Sequence, residues 1–177
     1  MSQDQKKEMS KKFERSTEVS GAEMEAILEQ WQRERPDIDP LPMAVCGDLW
    51  RAGELLRTGV LANLIPHKLD FAGFDVLLTL RRQGRGRSLS PSALAKEMML
   101  STSAMTNRLD RLEKRGLLMR TQDPDDRRGL KITLTADGFL LADDLVLSHV
   151  KTEESMLERL TKEERRTLRA LLNKING

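Results

Sequence analysis

Cysteine occurs once in the 177 residues, as Cys46, so an intramolecular disulfide is excluded and no cysteine-based metal spacing exists. Histidine occurs twice. His67 and His149 are far apart, and neither stands in a His/Asp/Glu metal spacing or near a nucleophile-elbow motif. Both are expected at the surface, and the usual constellations for catalysis are missing. No apolar run approaches the ~20 residues that span a bilayer. The opening MSQDQKKEMSKK also lacks the apolar core of a signal peptide. A cytoplasmic chain is therefore expected, with no membrane partner, no cofactor or metal and no enzymatic activity. Internal repeats, low-complexity tracts and a phosphate-cradling P-loop are absent as well.

What the chain has in quantity is charge, 33% of residues, against 38% hydrophobic. The net charge of +2 conceals an asymmetry. Residues 81–131 carry 13 basic and 6 acidic side chains, whereas the flanking segments are both slightly acidic. Positive charge gathered on one stretch is the electrostatic footprint expected of a surface that faces phosphate.

That stretch also holds the clearest structural pattern. Ser90 followed by Pro91 reads as an N-cap and first helical residue, and Leu94, Ala95 and Met98 form a buried stripe. A second start follows at Ser101, Thr102 and Ser103. Met105, Leu109 and Leu112 then recur at i, i+4, i+7 until Gly116 stops the helix. Its other face carries Thr102, Ser103, Thr106, Asn107, Asp110, Arg111 and Lys114. Small hydroxyls and an amide followed by cations suit a helix that touches base edges and holds phosphates in a major groove; the alternative is an ordinary solvated face. Two β-type runs come next, Leu117 to Thr121 and Leu130 to Thr135, around the turn sequence DPDDRRG. In that turn Asp125 or Asp126 can brace one arginine and leave Arg127 or Arg128 projecting towards a minor groove.

With those residues in view, LDRLEKRGLLMRTQDPDDRRGLKITLTADG (109–138) resembles the wing signature of MarR-type winged-helix regulators. The likeness in element order extends over roughly residues 40 to 176. It implies a mainly α winged helix-turn-helix fold with a short β-hairpin wing, and a homodimer that represses transcription and is released by a small molecule. The implied organisation is a flexible arm (1–19), an extra amphipathic helix (20–35), a linker with a dimerisation helix (36–70), the DNA-binding domain (71–135) and C-terminal dimerisation helices (136–177). The expected partner is a double-stranded, pseudo-palindromic operator. The recognition helix spans 102–115 and the wing 123–129, with Ser101, Thr102, Ser103, Thr106, Asn107, Arg111, Arg127 and Arg128 as the contacting residues.

Outside this core, Ser20 with Glu23 reads as a capping box ahead of Met24, Ile27, Leu28 and Trp31, and Pro36 ends the helix. PDIDPLP is a turn or extended linker. A helix from about Met43 to Ile65 carries Leu49, Trp50, Leu56, Val60 and Leu64 on one broad side. Cys46 lies on it, and a packed, inert thiol is expected rather than a redox sensor. Phe71 to Arg82 is a buried-type helix, and RRQGRGR after it is either a phosphate-gripping loop or a solvated one. Thr135 caps a helix from about Ala136 to Leu160. Thr161 with Glu164 opens the last helix, striped by Leu168, Leu171, Leu172 and Ile175.

Asp75 and Arg108 each fall at or near the apolar face of their helices, where an uncompensated charge is costly, so each needs a partner. A plain interhelical salt bridge would satisfy both. The competing interpretation is an effector pocket. Trp31, Asp75, Arg108 and Arg120, together with FAGFDVLLTLRR, are similar in type and spacing to the urate-responsive branch of the family. That resemblance implies an effector that is urate-like or a phenolic or other aromatic acid. Two further possibilities from the sequence are a winged helix that binds protein and a thiol-sensing regulator built on Cys46.

Overall fold

Helix starts fall where a side-chain oxygen can accept a free backbone amide. Ser90 accepts from the Ala93 amide at 3.1 Å with Pro91 next in line, and Thr135 accepts from Gly138 at 3.0 Å. Thr161 and Glu164 bond reciprocally, at 3.3 Å and 2.8 Å, as a capping box. Asp70 is a fourth cap, accepting from Gly73 at 2.7 Å.

The computed structural model describes residues 21–98, 102–124, 126 and 129–177, without the side chains of 21, 22 and 102–104. Its elements are α1 (Gly21–Glu34), α2 (Leu41–Leu64), a 3-10 turn (Ile65–His67), α3 (Phe71–Arg82), β1 (Ser88–Leu89), α4 (Pro91–Glu97), α5 (Thr102–Lys114), β2 (Leu118–Gln122), β3 (Leu130–Leu134), α6 (Ala136–Met156) and α7 (Lys162–Asn176). The expected arm, 1–19, and Ser20 lie outside the described residues.

The chain divides into two units, one ending at Arg57 and one beginning at Thr58. In the first, α1 meets α2 where Gly47 leaves room: a Cβ on Gly47 would stand 3.2 Å from Met24 Cε. Helix α2 begins at Leu41 rather than Met43. Pro42 falls in the first turn, where its missing N–H costs nothing, and Asp39 accepts from the Leu41 amide at 3.0 Å.

The second unit packs α3, α4, α5 and α6 with the sheet around one core, in which Leu64, Val76, Leu77, Leu94, Ile132 and Leu145 are fully buried. Two strands were expected; three form, antiparallel, in the order β1-β3-β2. β1 pairs Ser88 with Thr133 and Leu89 with Ile132, too short a segment to show alternation in sequence. Helix α6 ends at Met156 rather than Leu160. The Arg165 guanidinium donates to the carbonyls of Leu157, at 2.7 Å, and Leu160, at 3.1 Å, and so satisfies acceptors beyond the helix end.

Two expectations fail on burial. His149 is no surface residue: its side chain is only 19% exposed, its ring meets Phe74 edge-on at 4.8 Å, and Nε2 lies 3.2 Å from Glu153. Cys46, expected to be packed, is exposed on the single chain. Within the basic loop, Arg81 bonds Asp143 at 2.5 Å and stacks 4.3 Å over Phe139, while Arg82 bonds Glu97 at 2.8 Å. Its first two arginines thus hold the fold together.

Candidate nucleic-acid interface

Helix α5 buries Met105, Leu109 and Leu112, each 2% exposed or less, against the core. A 3.6-residue repeat then forces the intervening positions outward, and Thr106, Asn107, Arg111 and Lys114 are exposed. Ser101 lies outside the described residues. Thr102 and Ser103 occupy the first turn of α5. Gly116, at φ 68°, takes the left-handed position that ends the helix.

The wing follows at once. β2 and β3 pair in register from Leu118↔Leu134 to Gln122↔Leu130. Beyond them the Asp123 amide donates to the Gly129 carbonyl at 2.9 Å, and the Gly129 amide to Asp126 at 2.8 Å. Asp123 also pairs with Lys131 at 2.9 Å, bracing the base of the loop. Arg127 and Arg128, the expected tip residues, and Asp125 lie outside the described residues.

Three arginines fix α5 to its surroundings, and sequence reasoning missed most of this. Arg115 donates to the carbonyls of Lys68 and His67, both at 2.8 Å. Arg111 lies 3.0 Å from Asp70, the carboxylate that caps α3, so one proposed DNA contact is also a structural tie. Arg120 on β2 grips Asp110 at 2.6 Å and Glu113 at 2.5 Å from a side chain only 21% exposed. The Asp70 cap was detectable as an Asp preceding an apolar helix; the carbonyl partners of Arg115 carried no local signal.

Of the four proposed effector residues, one lies in the first unit and three, Asp75, Arg108 and Arg120, in the second. Trp31 lies on α1 in the first unit and is 39% exposed. Asp75 and Arg108 form no direct ion pair, although the Arg108 charge acts on the Asp75 carboxyl. Burial raises the Asp75 pKa above the ordinary carboxylate value, and Arg108, His149 and Arg82 pull it partly back. Arg120 is committed to Asp110 and Glu113. Among the described residues no group of three or more His, Cys, Asp or Glu could hold a metal ion, and no helix is long and apolar enough to cross a membrane.

A helix-turn-helix followed by a β-hairpin wing within a three-stranded sheet, with a polar exposed face on its second helix, defines a winged-helix DNA-binding protein. The comparisons narrow this. The MarR family model matches residues 72–130. The chain is 40% identical over 153 residues to the HTH-type transcriptional regulator PecS of Dickeya dadantii (strain 3937), covering 86% of this chain and 92% of that one. It is also similar to the multiple antibiotic resistance protein MarR of Salmonella typhimurium, 32% identical over 116 residues and covering 63% of this chain and 76% of that one. Among solved structures, a mutant MarR from E. coli complexed with operator DNA superposes with a TM-score of 0.68 at 25% identity, over 80% of this chain and 99% of that one. BpsR of Bordetella bronchiseptica, whose DNA binding is described as regulated by 6-hydroxynicotinic acid, gives 0.65 at 30% identity over 75% and 93%. The chain belongs to the MarR family of DNA-binding transcriptional regulators.

Proposed function

We propose that the chain is a homodimeric, ligand-responsive repressor that binds a pseudo-palindromic double-stranded operator. Residues 102–115 enter the major groove and the 123–129 wing the adjoining minor groove, with half-site centres about one helical turn apart. The single observation that carries this reading is the exposed Thr106–Asn107 face of α5, held beside the β2–β3 hairpin by Arg120. Pairing of two chains is supported by apolar side chains left uncovered: Leu140, Leu147 and Val150 on α6, and Leu168, Leu171 and Ile175 on α7.

The effector is a small aromatic or anionic molecule, urate-like or a phenolic or other aromatic acid, recognised by Trp31, Asp75, Arg108 and Arg120. Regulation of BpsR's DNA binding by 6-hydroxynicotinic acid supports a small aromatic acid as the chemical class. Arg108 and Arg120 both bear on α5, so a ligand that engages either changes the position of the reading helix.

A mobility-shift titration against the chain's own promoter region tests the DNA arm. A retarded complex that Arg128→Ala weakens by about 1–3 kcal/mol supports the wing contact; no complex at low salt overturns the reading. Thermal-shift screening with urate, salicylate-like phenolics and aromatic acids tests the effector arm, since a ligand that binds only the native state raises its melting temperature.

A further inference from the structure

The region between the start of α3 and the outer flank of α5 contains a cavity of about 320 Å³. It is lined by Lys68, Arg108, Arg111 and Arg115, with Asp70 the one carboxylate, and by Leu69, Gly73 and Leu112. Four cations face one anion, and that anion is already committed: one Asp70 oxygen accepts the Gly73 amide at 2.7 Å and the other meets Arg111 at 3.0 Å. The cavity therefore carries an excess of positive charge that the described residues do not neutralise.

The donors are available as well as charged. A guanidinium has five N–H groups. Arg115 spends two on the Lys68 and His67 carbonyls, which pins its plane and leaves the remainder free. Arg108 makes no hydrogen bond or ion pair to any described residue, and the Lys68 ammonium contributes three further donors. Lys68 stands at φ 53°, a left-handed conformation uncommon for a long side chain, at the turn where α2 gives way to α3.

We infer that this cavity is an oxyanion seat, built to hold a phosphate or a small carboxylate between Lys68, Arg108 and Arg115 on the flank of the recognition helix. It is distinct from the effector set proposed above, with which it shares only Arg108, and it rests on the regulator reading only for what the anion would be in use. Arg108, Arg111 and Arg115 recur at i, i+3 and i+7, so they line one ridge, and Arg111 is one turn on from exposed Asn107. The seat thus borders the face proposed for the groove, where either a backbone phosphate of the duplex or a free anion competing with it would fit the same chemistry.

The test uses the full chain without DNA first. Inorganic phosphate and benzoate are titrated while the Gly73 amide and the arginine Nε–H signals are followed by NMR. Shifts at Gly73, Arg108 and Arg115 that saturate, and that weaken at least tenfold in the Lys68→Gln/Arg115→Lys double variant, support the seat. Operator binding as a function of salt then separates the sources. If Lys68→Gln reduces the slope of log K against log salt by about one, the occupant is a duplex phosphate. If the slope is unchanged while free anion still binds, the occupant is a small acid. Absence of anion-induced shifts together with an unchanged slope overturns the proposal. Failure of the wild-type chain to bind any operator overturns instead the regulator reading, because the NMR arm contains no DNA.

Discussion

One carboxylate, Asp70, both caps α3 through the Gly73 amide at 2.7 Å and holds Arg111 of the recognition helix at 3.0 Å. The two roles separate by substitution. Asp70→Asn keeps an oxygen for the cap and loses only an exposed ion pair, a change of a few tenths of a kcal/mol up to about 1 kcal/mol. Asp70→Ala loses both and is expected to cost about 1–2 kcal/mol in urea unfolding. Equal losses in the two variants would show that the cap contributes nothing.

Gly138 explains, in physical terms, the glycine of the LTADG run. The Thr135 amide donates to the Leu117 carbonyl at 3.2 Å and its hydroxyl to the Gly116 carbonyl at 2.6 Å, drawing the first turn of α6 onto the start of β2. A Cβ on Gly138 would overlap the Leu117 carbonyl oxygen, a backbone atom that cannot swing aside. Gly138→Ala is therefore expected to lose about 3 kcal/mol or more by chemical unfolding, at the upper end for overpacking. A loss below about 1 kcal/mol would mean that the junction yields easily.

Ser90, Gly116, Thr135 and Thr161 were legible in the sequence because each acts on its own backbone within three or four residues. The stripe Met105, Leu109, Leu112 was legible for the same reason, as a period on one helix. Arg115 was not, since its acceptors are carbonyls 47 and 48 residues away and any residue type supplies a carbonyl. Nor was the burial of His149, which depends on Phe74 from another helix, or the two-residue β1, which acquires meaning only against β3. The direct pair expected between Asp75 and Arg108 does not form; only the Arg108 charge acts on the Asp75 carboxyl, because helix spacing places each residue on a face and says nothing of the distance across to the other helix.

Arg120 joins the wing to the helix it flanks. Its guanidinium meets Asp110 and Glu113, while its own amide donates to Glu113 at 3.1 Å. Arg120→Gln leaves two carboxylates facing each other across a half-buried gap, at a cost of about 1–2 kcal/mol. Arg120→Lys keeps the charge but cannot fork between both acids, so it recovers only part of the loss. Urea unfolding together with operator affinity checks this; a lysine variant equal to wild type in both would refute the fork.

Asp75 gives the chain a predictable acid response. Burial raises its pKa in the folded state, and Arg108, His149 and Arg82 offset only part of the rise. Between the ordinary carboxylate value and the raised one, the folded chain binds more proton than the unfolded chain, so stability falls as pH climbs through that window. The penalty is absent below the unfolded pKa and fully present above the folded one. Asp75→Asn removes it, so the variant should melt higher than wild type near pH 7, the difference closing as the pH is lowered to about 3. Calorimetry across that range decides the matter: melting curves that stay parallel, or a variant less stable at neutral pH, would show that the Arg108 charge outweighs burial at this carboxyl.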